Sequence, residues 1–484
     1  MSEDKSITTN EMEETKGEAV EQLEPAREAV EQSAEAQPDS AEDKAEAKRA
    51  RARAKDSVEP AGKGVKWLVA LLRLLTGGVF IFSGFVKAVD PWGGYYKFQE
   101  YFQALSLESL YGVETFAAFA VAIVELMLGV ALLIGAYRRG APIFALAMMV
   151  VMLPLTLWLM ITDAVPDCGC FGDALPLSNT ATFLKNVVLT VALVALLRYN
   201  RKLKCLYGPA VQWVVLALTF LLGLSIALRG YFVQPLIDFR PFPVGSTLQV
   251  TPSGTDDEDY VFIYEKNGEQ HSFTIDSIPD EEDGWTFVDR RSTAQQLSPA
   301  QRAATQSISI FDEGQDVTAE VLDPNRRQLL FLFPDIAGVS IAYTFDINEL
   351  NNFARVQDVD AYGITSGTRR QIDEWNDISL ADYPVYMADD SELKMLARGN
   401  PAVVYIERGK VVWKRTLSSI DMKRLEDNEM TVAKLGETVS PPSSVMSKFI
   451  WSYLLAMLAL LVLNRAVPVI RFFAKRGAKS ENCE

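Results

Sequence analysis

The sequence predicts an α-helical integral membrane bundle that carries an extracytoplasmic α/β domain. Three observations predict it. Residues 67–88, 115–136, 140–162, 180–197, 211–228 and 449–470 are apolar runs, each near the roughly 20 residues needed to cross a bilayer core of about 30 Å. Basic residues gather in alternate connections between these runs. Between the fifth and sixth runs lies a long stretch with strand-like alternation, turn signals and helical periods, the pattern of a folded α/β unit.

The chain opens differently. Residues 1–46 hold fifteen Asp and Glu against four Lys and Arg. Such a segment buries too little apolar surface to offset its ordering entropy, so 1–63 is expected to be a disordered, acidic cytoplasmic tail. No apolar stretch precedes Val65, which argues against a signal peptide. A net charge of −16 argues against nucleic-acid binding. The bilayer is the partner that the composition requires.

Loop charge sets the orientation. Lys48, Arg49, Arg51, Arg53, Lys55, Lys63 and Lys66 precede the first run, Arg138 and Arg139 follow the second, and Arg198, Arg201, Lys202 and Lys204 follow the fourth. Arg471, Lys475, Arg476 and Lys479 fall in the tail 471–484. Basic short loops mark the cytoplasmic side, so both termini are expected inside a bacterial inner membrane. Loop 163–179, with Asp163, Asp167 and Asp173 and no base, and the long acidic region 229–448 are then outside.

This topology sorts the four cysteines. Cys205 and Cys483 face a reducing cytosol, whereas Cys168 and Cys170, in "PDCGCFGDALPLSN", face a compartment where disulfides persist. A two-residue extended step is about 6.6 Å, close to the upper limit of roughly 6.8 Å for bridged Cα atoms. A Cys-Gly-Cys disulfide is thus strained, with Gly169 relieving part of the strain, and strained, exposed disulfides are the labile or catalytic ones. A structural clip or a pair of free thiols is the alternative, although a clip closing so short a loop gains little. Zinc is disfavoured, because the single histidine, His271, is over 100 residues away. Lys87, ending the first run, and Lys185, one turn into the fourth, are placed either to stabilise a thiolate or to snorkel to headgroups.

Two ionisable residues sit well within crossings, Arg73 in "WLVALLRLLTGG" and Glu125 in "AIVELMLGV". Counting from opposite membrane faces puts them about 8 Å apart in depth, so an intramembrane Arg73–Glu125 pair is expected. Its role is structural or, alternatively, part of a proton or quinone site. Gly77, Gly78, Ser83 and Gly84 read as helix-packing positions.

"RLLTGGVFIFSGFVKAVDPWG", "VELMLGVALLIG" and "DCGCFGDALPLSNTATFLKN", in this order, resemble the DoxX/MauE-type redox-associated membrane proteins. The resemblance covers residues 64–200 and implies a four-helix DoxX-like module, to which 209–230 and 449–470 add two further transmembrane helices. It implies a redox role, linked in MauE-type proteins to methylamine utilisation and maturation of a disulfide-rich periplasmic enzyme and in DoxX-type proteins to thiosulfate–quinone oxidation. Matched residue by residue, it points to Asp167, Cys168, Cys170, Phe171 and Gly172, flanked by Lys87 and Lys185.

Outside the membrane, 231–305 reads as β-rich, with "YVFIYEKNG" and "HSFTID" as strands. Residues 306–440 show the order strand "RQLLFLF", helix near 346–357, strand "DAYGITS", helix near 367–377, strand "YPVYMA", short helix 390–398 and a hairpin turning at Arg408–Gly409. This order resembles the thioredoxin-like fold, with Pro401 at the family's cis-proline position. The family's Cys-x-x-Cys is absent, since the chain reads "PDIAGVSIAY" after the first strand. The leading expectation is therefore a membrane-bound thiol–disulfide redox protein using Cys168 and Cys170, exchanging electrons with a membrane quinone or a periplasmic thiol protein that the α/β domain positions. The alternative is a non-enzymatic envelope assembly or scaffold protein. A carrier is disfavoured, because paired broken helices and an inverted repeat are missing from the sequence.

Overall fold

A computed structural model describes residues 61–480 apart from Pro166 and the segments 249–259, 267–268, 275–284, 293–307 and 438–440. Cys483 and residues 1–60 of the acidic tail therefore lie outside the described residues, as do the acidic stretches 254–259 and 279–284.

The first half is helical: α1 (Lys63–Val89), α2 (Pro91–Ala104), α3 (Glu114–Ile134), α4 (Gly140–Thr162), α5 (Asn179–Tyr199) and α6 (Pro209–Phe232). A last helix, α12, runs Pro442–Ser480. Among the described residues, six helices are long and apolar enough to cross a membrane: α1, α3, α4, α5, α6 and the Pro442–Ala466 part of α12. Their outward faces expose Trp67, Leu71 and Leu74 on α1, Phe144 and Val150 on α4, and Val188 and Val191 on α5. Such faces suit lipid and not water, and the chain is a multi-pass membrane protein.

Small residues seat α1 against α3. A Cβ on Gly84 would lie 2.3 Å from the Leu126 amide, and one on Gly129 would lie 2.4 Å from that of Ile81, so only glycine permits this approach. Gly77 and Ser83 share the seam. Gly78, expected there too, would meet nothing within 4 Å.

Helix α2 was not expected. It starts on Asp90, whose carboxylate accepts from the Gly93 amide at 3.1 Å, and carries proline at its first turn, a favoured N-terminal combination. It is too polar to span a membrane and buries only Pro91, Tyr96 and Phe102.

Beyond α6, the strands β1 (Tyr260–Lys266), β2 (Glu269–Thr274) and β3 (Thr286–Ser292) form an antiparallel sheet ordered β2-β1-β3. The remainder is a seven-stranded mixed sheet built from β4 (Ile310–Asp312), β5 (Gln315–Asp316), β6 (Arg327–Phe333), β7 (Asp360–Thr365), β8 (Val385–Ala388), β9 (Ala402–Glu407) and β10 (Lys410–Thr416). Its order is β10-β9-β6-β7-β8-β4-β5. The helices are α7 (Thr318–Val321), α8 (Tyr343–Val356), α9 (Arg369–Ser379), α10 (Asp390–Leu396) and α11 (Val432–Leu435). Central β6 is parallel to β7 and antiparallel to β9, and it is apolar on both faces, as a doubly covered strand must be. Leu329, Phe331 and Phe333 pack with Ile347 and Leu350 of α8 and Trp375 of α9, while Leu330 and Leu332 pack with Leu393 and Leu396 of α10. The β9–β10 hairpin turns through Arg408 and Gly409, both at positive φ, a twist-compatible two-residue turn. The Asn400–Pro401 peptide before β9 is cis.

Candidate functional site: a cysteine pair under α2

Residues 163–178 link α4 to α5 at the end of the bundle that meets the α/β domain. Asn179, opening α5, ties the loop down by donating to Asp163 Oδ1 and to the Val165 carbonyl, both at 3.0 Å. The Asp167 carboxylate accepts from the Gly169 amide at 2.8 Å and pairs with Lys97 of α2 at 3.3 Å. Gly169 takes φ +64° between the two cysteines, a left-handed turn that glycine adopts without strain. This turn brings Cys168 Sγ and Cys170 Sγ to 2.9 Å as two free thiols.

The pair is not exposed, contrary to the expectation of an exposed disulfide. Cys168 is 8% exposed and packs with Leu159 and Val165, and Tyr101 and Trp158 border them. The cover is α2: Tyr101 Oη donates to the Cys168 carbonyl at 2.9 Å. Cys170 is half-buried. The hydrogen bond to Cys170, together with burial, pushes the Cys168 thiol up. The same bond brings the Cys170 thiol down to about 6, against the opposing effect of burial and with help from the Lys185 and Lys87 charges. One acidic and one basic thiol in contact suit an attacking and a resolving sulfur.

Lys185 lies over the Phe171 ring at 4.2 Å, a cation–π distance, and Phe171 meets Phe82 edge-on with centroids 5.2 Å apart. Lys87 turns inward, donating to both carboxylate oxygens of Glu125 at 2.7 and 2.8 Å. Ser83 joins α1 to the loop, 2.7 Å from Glu125 Oε2 and 2.6 Å from the Cys170 carbonyl.

Arg73 and Glu125, expected to pair, do not meet. Arg73 Nε donates to Asn200 Oδ1 at 2.7 Å, and its other nitrogens donate to the carbonyls of Asn200, Leu203 and Lys204 at 2.9–3.1 Å. The α5–α6 connection folds under the helix end and offers four oxygens nearer than any carboxylate. Glu125 takes instead the lysine on its own level.

The α/β domain reaches the loop through Arg398, which sequence reasoning passed over. Its guanidinium donates to Asp90 Oδ2 at 2.7 and 2.9 Å and to Asp173 Oδ2 at 2.5 Å. Asp173 lies three residues beyond Cys170, and Arg398 three before Pro401, so the edge bearing the cis peptide is clamped beside the cysteine loop. Partners 308 and 225 residues apart leave no local signal. Tyr101 and Lys97 had one, the Asp-Pro helix start at Asp90–Pro91.

Among known families, the model of the methylamine utilisation protein MauE matches residues 65–199, which hold α1 to α5 with the cysteine loop. A second model, a domain of unknown function (DUF8463), matches residues 258–295, the span of the three-stranded sheet. No curated protein and no solved structure matches the chain.

Proposed function

We propose that the chain is a membrane-bound thiol–disulfide redox protein of a bacterial inner membrane, with both termini cytoplasmic and the α/β domain outside. The carrying observation is the Cys168–Cys170 contact at 2.9 Å under α2, with cationic side chains on its Cys170 side. Cys170, the more acidic and more accessible thiol, attacks a disulfide of a periplasmic protein. Cys168 then attacks Cys170 in the mixed disulfide and releases the partner as a dithiol. A membrane quinone is the alternative electron acceptor for the pair, as for DoxX-type proteins. The match to a methylamine utilisation family supports an accessory redox role in that metabolism.

The α/β domain is best taken as thioredoxin-like, on the β7-β6-β9-β10 order and the cis Pro401 that leads into β9. Without cysteines of its own, it positions the partner beside the loop to which Arg398 clamps it. That same lack of cysteines favours a second reading, a non-enzymatic envelope scaffold. Thiol trapping in cells during reducing and oxidising growth separates the two. Cys168 and Cys170 are expected to change state between the conditions, and Cys168→Ser/Cys170→Ser is expected to lose function. A pair that never changes state, with full function in the double variant, leaves the scaffold.

A further inference from the structure

The polar cluster beneath Cys170 contains a proton count that the cysteines alone do not explain. Ser83 Oγ is 2.6 Å from the Cys170 carbonyl oxygen and 2.7 Å from Glu125 Oε2. Both are hydrogen-bond distances, and a hydroxyl owns one proton. Lys87 spends its protons on the two Glu125 oxygens, with a longer contact of 3.3 Å to Ser83. If Ser83 donates to the carbonyl, its contact with Oε2 has no hydrogen unless the cluster carries one more. With that proton, the chain runs from Oε2 to Ser83 and on to the Cys170 carbonyl, and every short contact is satisfied. Glu125 and Ser83 are 6% and 7% exposed, so bulk solvent does not reach the contact.

The structure holds the pair reduced. We propose that the Ser83–Lys87–Glu125 cluster is a redox-linked proton site, holding one more proton when Cys168 and Cys170 are reduced than when they form a disulfide. This deepens, and rests on, the thiol–disulfide reading. In the reduced state the 2.9 Å contact shares one proton between the two sulfurs, which leaves a negative charge on Cys170 in the field of Lys87, and the cluster holds its extra proton. Oxidation removes the thiolate charge, the proton leaves, and the Glu125 carboxylate becomes the sole counter-ion of Lys87. The buried charge stays constant, which a low-dielectric site favours.

With a disulfide RSSR as oxidant, the step balances. One Cys168 thiol proton and one cluster proton pass to two RSH. The pair loses two electrons to RSSR as its own S–S bond forms, and the −1 charge moves from the Cys170 thiolate to the cluster. Among the described residues, Glu125 makes hydrogen bonds and ion pairs only with Lys87 and Ser83 of α1. Cys168 and Cys170 face the cluster from the loop, and Lys185 faces it from α5 past Phe171.

The test is the equilibrium of the pair in the full-length protein, in nanodiscs, against a glutathione buffer between about pH 6.5 and 8, where glutathione thiols stay mostly protonated. Two protons taken up on reduction cancel the two that glutathione releases, so the constant of the unaltered protein is expected to be flat with pH. Glu125→Gln takes up one, and its constant is expected to move about tenfold per pH unit toward the reduced pair. Glu125→Asp is expected to restore the flat profile. Equal slopes in the unaltered protein and Glu125→Gln overturn the proton site and leave the redox reading standing. A pair that never equilibrates with glutathione overturns both. Should Glu125→Gln fail to assemble, the reduced-minus-oxidised infrared difference spectrum of the unaltered protein decides. A carboxylic-acid C=O band lost on oxidation supports the site, and its absence overturns it.

Discussion

Arg73 and Lys87 stand on the same helix, roughly 21 Å apart along it, and both bury a cation. At the Arg73 end every acceptor is a neutral oxygen fixed by the fold, three main-chain carbonyls and one amide. At the Lys87 end the neighbours are the Glu125 carboxyl group, the Ser83 hydroxyl between it and the Cys170 carbonyl, and the two cysteine sulfurs. Neutral dipoles have one protonation state, and at the Arg73 end they hold the α5–α6 connection. Titratable partners have several, and at the Lys87 end they lie beside Cys168 and Cys170. Burying a charge in a membrane thus makes a clamp or a switch according to what answers it.

The largest effect is expected from Arg73→Met, which strands four oxygens. A loss on the order of 3–5 kcal/mol should appear as a lower Tm and a smaller assembled fraction in detergent. Arg73→Lys should not rescue it, because one ammonium cannot reproduce the fork. The thiol titration of the surviving folded protein should be unchanged, and a shift there would break the comparison. Arg398→Met comes next. Asp173 is half exposed, so the expected cost is about 2–4 kcal/mol, below the full buried-pair figure. Faster amide exchange in α2 and residues 167–173 is the expected signature.

Smaller effects sharpen the switch end. Cys170 should alkylate with a half-point near pH 6, because the reactive thiolate forms as pH rises through that value. Lys185→Met removes a cation that favours the thiolate, so the half-point should rise by roughly one unit. The rate then falls at pH 6 and is unchanged at pH 9. Gly169→Ala forces a side chain into the left-handed region, with its Cβ 2.9 Å from Lys97 Cγ. About 1 kcal/mol of destabilisation is expected, read as a small drop in Tm.

The membrane helices could be read from composition because lipid imposes length and hydropathy directly. The cysteine loop stood out because two cysteines sat in one connection of a cysteine-poor chain. The Arg73–Glu125 expectation failed for a specific reason. Depth counting compares side chains with side chains, and the partners Arg73 found are mostly carbonyls, which every residue owns and no sequence displays. Helix α2 was missed because Gly93 and Gly94 dilute its periodicity, and with it went Lys97 and Tyr101. The cover that buries Cys168 was therefore invisible until the chain was folded.

Asp90 performs two tasks with one carboxylate. It caps the first turn of α2 through the Gly93 amide and holds the guanidinium of Arg398. Asp173 gives the same guanidinium a second grip, on the cysteine loop itself. One guanidinium therefore ties three pieces of chain that are far apart in sequence, the start of α2, the cysteine loop and the segment leading into β9, so that a single side chain decides whether they stay in register.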